Sequence, residues 1–225
     1  IRQNRRQAPA CKVEVLTPDF QGQEMPLATV LADDKTAVEL LRVGDRDEDA
    51  VLALNTAYAS DGAVVDIAAN AKLEKPVLLV ALRAGGEPQL VASRNFVRVG
   101  DGAEATIIEA HVAMPAAARE FQLNTATKIV VGKGTAVSHV KCTLESGGGV
   151  HLSNWLIDLG TDADYRGFHF TTGPALARNQ ISVLFTGTGG KIDLSGAFLA
   201  RGNEHIDTTL VVDHAVPQCT SRELF

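Results

Sequence analysis

The sequence predicts a mostly-β chain wound as a parallel β-helix (a solenoid), with a small N-terminal helical segment ahead of it. Three observations carry that expectation. The first is a loose internal repeat: Val-Gly-Asp-Gly-Ala around Gly100, Val-Gly-Lys-Gly-Thr around Gly132, Leu-Gly-Thr-Asp-Ala around Gly160 and Thr-Gly-Thr-Gly-Gly around Gly187, spaced by 32, 28 and 27 residues. A period in this range marks a unit that cannot bury its own apolar face until neighbours stack on it. The second is that each corner follows an apolar run and precedes an alternating one, with no helix predicted inside the repeat. The third is composition: 20 glycines, only 5% aromatics and abundant Val, Ala and Leu suit stacked strands, with Gly at the turns, better than a large helix bundle.

In chain order, Thr36–Val43 and Asp47–Ala59 read as short helices. In the second, Val51, Leu54, Ala57 and Tyr58 recur at helical spacing, and Asp47, Glu48 and Asp49 favour the positive end of the helix dipole. Asp61-Gly62 stops the helix and turns the chain, dividing it into an N-terminal segment, 1–63, and a β-helix core, 64–225. Runs of strand character follow at Val64–Ile67, Val77–Leu82, Phe96–Val99, Ala103–Ile108, Ile129–Val131, Trp155–Leu159, Ile181–Phe185 and Ile206–Val212. Ile206, Thr208, Leu210 and Val212 share one face, and Ile192 and Leu194 alternate with Lys191, Asp193 and Ser195. A β-sandwich is the rival architecture, because strands at this spacing also suit one.

Charge and cysteine content bound the function. A net charge of −6 argues against a general nucleic-acid binder, which needs a basic face to displace counterions; the basic group Arg2, Arg5 and Arg6 reads as a solvated tail or exposed helix end. Cys11, Cys142 and Cys219, none in a C-x-x-C pair, fit a reducing compartment. No N-x-[ST] sequon or signal peptide is visible, and no apolar run approaches the roughly 18 residues that span a bilayer. A cytoplasmic location without membrane or nucleic-acid partners is expected.

Toward the carboxy terminus the sequence becomes specific. Gly196 to Phe225 contains His205-Ile-Asp207, then His214-Ala-Val-Pro217, then Ser221-Arg222-Glu-Leu-Phe225. This segment resembles the part of the SufB/SufD family that carries H-x-D, H-x-x-P and S-R-E-L. Leu54-Asn55, Asp61-Gly62, Lys75-Pro76-Val77 and Arg178-Asn179 resemble family positions too, and Pro217-Gln-Cys219-Thr-Ser-Arg is similar to the SufD branch. The resemblance implies a right-handed parallel β-helix. It also implies a non-catalytic scaffold subunit of a SUF iron–sulfur assembly complex, paired with a SufB-like subunit and binding a SufC-like ATPase. An iron–sulfur cluster belongs to that complex; no cofactor is assigned to residues of this segment. Family chains extend further at both ends, so this one is expected to be a piece of a longer protein, with an open rung edge prone to self-association.

The candidate chemistry is sparse. Val131-Gly-Lys-Gly-Thr135 lacks the adjacent Lys and hydroxyl of a P-loop, and Gly190-Lys191 is followed by Ile192, so both read as turns. His139 sits at the same offset from its corner glycine as Ile107, which points it inward as a core histidine, whereas His111 and His169 fall at other offsets and form no column with it. Cys142 reads as a small buried hydrophobe. Cys219 with His214 is the best thiolate–imidazole pair and the candidate metal site, against a structural role near Pro217. The alternative function is a β-helix polysaccharide lyase or hydrolase, which would need Asp162, Asp164, Arg166, Asp193 and Asp207 clustered on one exposed face.

Overall fold

The computed structural model describes residues 11–15, 22–27, 49–59, 61–84, 86–115, 117 and 119–225, the backbone alone for 11–15 and 22–26. The predicted helix Thr36–Val43 and the Arg2, Arg5, Arg6 group lie outside the described residues. Among the described residues the strands are β1 (Cys11–Val15), β2 (Gly22–Pro26), β3 (Ala63–Ile67), β4 (Val77–Arg83), β5 (Gln89–Val99), β6 (Glu104–Ala113), β7 (Phe121–Val131), β8 (Ala136–Leu144), β9 (Val150–Leu159), β10 (Asp164–Thr172), β11 (Leu176–Phe185), β12 (Lys191–Leu199), β13 (His205–Asp213) and β14 (Thr220–Leu224), and a helix, α1 (Ala50–Tyr58), precedes β3.

From β3 onward, successive strands alternate between two seven-stranded sheets. The first sheet has the order β1-β4-β6-β8-β10-β12-β14 and the second β2-β3-β5-β7-β9-β11-β13. All neighbours are parallel except the outermost pairs, β1 with β4 and β2 with β3. Parallel neighbours joined through the opposite sheet make a flattened solenoid of about five turns, not a sandwich of antiparallel hairpins.

The corners show two distinct needs for glycine. A Cβ on Gly132 would lie 2.7 Å from the backbone nitrogen of Asp101, and one on Gly187 2.2 Å from that of Thr161, so the first glycine of each corner permits close approach of the coil beneath. The left-handed turn falls two residues later, at Gly102, Gly134, Asp162 and Gly189, with φ of 67°, 62°, 54° and 76°. These corners stack through backbone bonds such as Gly102 N–H to the Lys133 carbonyl and Gly134 N–H to the Thr161 carbonyl, both 2.8 Å. Lys133 therefore belongs to a corner turn, as its failed P-loop pattern predicts.

Helix α1 differs in detail from expectation. It starts at Ala50, and Asp49 is its N-cap, accepting from the backbone N–H of Val51 (2.8 Å) and Leu52 (2.9 Å). The buried positions are Leu52 and Asn55, while Leu54 and Tyr58 face out. Leu52 packs on Ala126 and Leu156, on the outer face of the second sheet. Asn55 makes the contact specific: its Nδ2 donates to the carbonyls of Ser93 (3.0 Å) and Asn124 (2.8 Å), and its Oδ1 accepts from Arg94 Nη1 (3.3 Å). Burial lowers the Arg94 pKa to about 10.

The two outer faces are unlike. On the second sheet, charged pairs dominate outside α1: Arg98 with Asp66, Lys128 with Asp158 and Arg178 with Asp207. On the first sheet the register stacks Leu78–Ile108–Val140–Phe168, Val80–Ala110–Cys142–Phe170 and Leu82–Val112–Leu144–Thr172 outward. Cys142 is thus not a core residue; it is half-buried and faces out in the middle of this apolar surface.

Candidate functional site

The interior between the sheets divides lengthwise. Inward positions at the starts of the first-sheet strands and the ends of the second-sheet strands are apolar, among them Ile107, Val137, Ile129, Ile157 and Val183. The other half is polar, where first-sheet strands end and second-sheet strands begin. From the first sheet come Arg83, Glu109, His111, His139, Lys141 and His169, and from the second Asn95, Thr125, Thr127, His151, Ser153 and Asn179, all buried. A polar seam therefore runs along the solenoid axis.

At its centre is Glu109, 1% exposed. Its Oε1 lies 2.7 Å from His111 Nε2, accepts from Thr127 Oγ1 at 2.9 Å across the sheets, and lies 3.1 Å from Lys141 Nζ. The ammonium sits off the line a hydrogen bond needs, leaving the contact an ion pair. Parallel register stacks Glu109 directly under Lys141 and Lys141 under His169. His139 is in register with Ile107, as its offset predicts. Its Nδ1 shares a hydrogen bond of 2.8 Å with the Tyr165 hydroxyl, its ring meets Trp155 edge-on at 4.6 Å, and its Nε2 lies 3.6 Å from Glu109 Oε2, beyond hydrogen-bonding distance. His111 meets His151 across the sheets with ring centroids 5.0 Å apart, and Thr125 Oγ1 bonds His151 Nε2 at 2.9 Å. Towards one end, Arg83 donates from Nε (3.2 Å) and Nη2 (2.9 Å) to Glu145 Oε2 and lies over the Phe121 ring at 3.9 Å.

The electrostatics follow from burial. Desolvation alone would raise the Glu109 pKa; the Lys141 ammonium and the imidazoles of His111 and His139 outweigh it and hold the carboxyl well below its usual range. Burial lowers His139 against the pull of Glu109, and lowers His151 further, aided by His111 and Lys141. Burial and Lys141 bring His169 to about 4, and burial drives the Tyr165 hydroxyl well above its usual value. The seam centre thus sets the Glu109 carboxylate against the Lys141 ammonium, beside neutral imidazoles at His139, His151 and His169. A cation bound by Glu109, His111 and His139 would have to displace Lys141, and among the described residues no three Cys, His, Asp or Glu side chains come together as metal ligands.

The residues singled out in the sequence fall elsewhere. Cys219, half-buried on the β13–β14 loop, directs its thiol to the carbonyls of Gly187 (3.5 Å) and Pro217 (3.6 Å). His214 on the same loop is exposed, with Nε2 3.3 Å from Ser221 Oγ and its ring 4.8 Å from that of Phe185. The acidic set splits: Asp164, Arg166 and Asp193 lie side by side on β10 and β12 at the exposed face of the first sheet, where Arg166 pairs with Asp164 and Arg222 with Asp193, both at 3.4 Å, whereas Asp207 lies on β13 of the second sheet and Asp162 at a corner. Glu109, Lys141 and His151 drew no attention in the sequence, although a signal existed. Glu109, Lys141 and His169 follow one another by 32 and 28 residues, the same steps as the corner glycines Gly100, Gly132 and Gly160.

Fold and interior together define a β-solenoid whose polar lumen is filled by its own side chains and whose broad faces are turned outward. Residues 81–225 match the family described as SUF system FeS cluster assembly, SufBD core domain, and residues 29–79 match the SufBD protein N-terminal region. The chain belongs to the SufBD family of the SUF iron–sulfur cluster assembly system. It is 27% identical over 170 residues to an iron–sulfur cluster assembly SufBD family protein of Synechocystis sp., covering 72% of this chain and 38% of the relative. A Mycobacterium leprae protein of the same description is 40% identical over 76 residues, 34% of this chain and 19% of the relative. The iron–sulfur cluster assembly protein SufD of Escherichia coli is 29% identical over 153 residues, 67% of this chain and 36% of the relative. The chain thus spans well under half the length of these relatives. Among the described residues no helix is long and apolar enough to cross a membrane.

Proposed function

We propose that this chain is the solenoid part of a non-catalytic scaffold subunit in a cytoplasmic SufB–SufC–SufD-type complex, where iron and sulfide are substrates assembled at the level of the complex. The observation that carries the reading is the self-neutralised seam. Glu109 and Lys141 satisfy each other's charge inside stacked rungs, which suits a part that keeps its shape while others move. In this reading residues 64–225 form the rod, residues 1–63 a separate N-terminal segment, and a SufB-like subunit and a SufC-like ATPase are held by the whole protein. Cys219 with His214 is the pair in this segment best placed to meet metal, its thiol and imidazole lying on one loop near the end of the described rungs.

The test is reconstitution with the whole protein. Affinity-tagged full-length protein should retain a SufB-like subunit and a SufC-like ATPase through gel filtration, and cluster formation on an apo-ferredoxin, followed at 420 nm, should require all three together. Cys219→Ser should lower that rate without loosening the complex. Isolation of the protein without either partner, or cluster formation by it alone, would refute the scaffold reading.

A further inference from the structure

The outer face of the first sheet has the composition of an interface rather than of a solvated surface. Its central columns, four strands deep, contain no charged residue, and Leu82, Leu144, Phe168 and Leu199 are 38%, 44%, 39% and 46% exposed. The second sheet, built from the same coils, carries ion pairs on its outer face outside α1 instead. Strand propensity therefore does not explain the contrast. An apolar patch of a few hundred Å² on an otherwise charged surface is often functional.

Size and shape decide the occupant. From β4 to β12 is four inter-strand steps, roughly 19 Å, and three outward positions along a strand span roughly 13 Å. With side-chain margins the patch is on the order of 300 Å², far below the ~800 Å² per partner of a stable protein dimer. A second copy laid face to face is therefore undersupplied. An α-helix of about 12 residues is about 18 Å long and presents an apolar stripe of matching width. The fold already shows this mode of cover: α1 lies on the second sheet through Leu52 against Ala126 and Leu156. Along one side of the patch the charges are already matched within the chain, Arg166 with Asp164 and Arg222 with Asp193, both at 3.4 Å. The visiting helix therefore needs an apolar stripe but no charge of one sign.

We propose that an amphipathic helix of about 12 residues, supplied by another polypeptide, docks across β4, β6, β8 and β10 with its apolar stripe over the Val140, Cys142 and Phe168 positions. The proposal rests on this face alone and stands whether or not the SUF partners proposed above are the ones bound.

The test places a photo-crosslinking p-benzoylphenylalanine at Leu144 of the full-length protein in its own cells, with Ser182 on the opposite sheet as the background position. The expected result is adducts at Leu144, at least tenfold above Ser182, concentrated on one peptide of another protein with apolar residues at i, i+3 or i+4, and i+7. Cys142 should react with N-ethylmaleimide at least tenfold more slowly in cells than in the purified protein. Phe168→Asp should abolish both effects while leaving the thermal melt unchanged, and Leu144→Lys, at a more exposed position, should repeat the loss of protection should the first variant melt early. Adducts to a second copy, adducts within the same chain, adducts no higher than at Ser182, or equal Cys142 reactivity in the two settings would each overturn the proposal.

Discussion

Removing Lys141 alone should harm the fold more than removing Lys141 and Glu109 together. The Glu109 carboxylate is 1% exposed and has three neighbours on Oε1: the Lys141 ammonium at 3.1 Å, His111 Nε2 at 2.7 Å and Thr127 Oγ1 at 2.9 Å. Lys141→Met leaves a buried carboxylate without its ammonium partner; Glu109→Gln leaves a buried ammonium without its counter-charge. Breaking one side of such a pair costs about 3–5 kcal/mol, whereas replacing both partners by neutral groups of similar volume is often close to neutral. Each single variant should therefore lose about 3–5 kcal/mol and the double variant at most about 1–2, a coupling of several kcal/mol.

The assay is urea unfolding of the full-length protein at pH 7, followed by far-UV circular dichroism. With a slope of about 3 kcal/mol per molar urea, each single variant should move the midpoint down by about 1 M or more, and the double variant by less than half that. Hydrogen exchange of β6 and β8 should report the same order locally. Single variants within about 1 kcal/mol of wild type, or a double variant showing the sum of the two losses, would refute the claim that these charges stabilise each other.

Other expectations follow from the same structure. Stability should fall on acidification from pH 7 to 4: buried His139, His151 and His169 stay neutral in the fold but gain protons near pH 6.5 when unfolded, each contributing a little over 1 kcal/mol per pH unit while that difference lasts, so His151→Gln should flatten the urea-midpoint profile below pH 6.5. Glu109 acts in the same direction at lower pH, because its depressed folded pKa gives stability that is present above the unfolded value and lost as pH falls through the folded one. Gly132→Ala, whose Cβ would meet the Asp101 backbone at 2.7 Å, should lower the melting temperature well beyond Gly134→Ala, which has open space and only the left-handed φ of 62° to sustain, a cost of about 1–2 kcal/mol. Asn55→Ala should leave the Ser93 and Asn124 carbonyls short of a donor, costing about 1–3 kcal/mol, and amide exchange should rise selectively in α1.

The sequence disclosed the apolar half of each rung and concealed the polar half. In the second sheet the expected runs Phe96–Val99, Ile129–Val131 and Trp155–Leu159 are the last residues of strands that begin at Gln89, Phe121 and Val150. The missing portions carry Ser93 and Asn95, Thr125 and Thr127, and His151 and Ser153 at their inward positions. Alternation of apolar and polar residues signals a strand only when the inward positions are apolar. Where they face a polar seam, the same strand reads as a loop. The helix was legible in existence but not in orientation: Asn55 rather than Leu54 is buried, because the surface that α1 meets offers Arg94 and the Ser93 and Asn124 carbonyls rather than a purely apolar groove. The carboxy-terminal motif carried the family, but neither Cys219 nor His214 led to the seam, since the seam residues are joined by register across coils and not by proximity along the chain.

That register suggests why charge is kept inside a rod that could be apolar. The apolar columns resemble one another from rung to rung, so a strand displaced by one coil would still find apolar neighbours. The seam column does not repeat: Leu79, Glu109, Lys141, His169 and Gly196 stack in that order. A slip of one rung would set Lys141 where His169 stands and leave Glu109 without its counter-charge, at the cost of a buried unpaired charge. The pair should therefore select one stacking order more than it adds to stability. Glu109→Met with Lys141→Met should give a protein that melts near or above wild type yet populates more than one rung register. The signs would be broadened or doubled amide peaks for β6, β8 and β10 in ¹H–¹⁵N spectra of the full-length protein, with a reduced urea slope. A single sharp set of peaks at unchanged slope would show that apolar packing and the glycine corners suffice to fix the coil order.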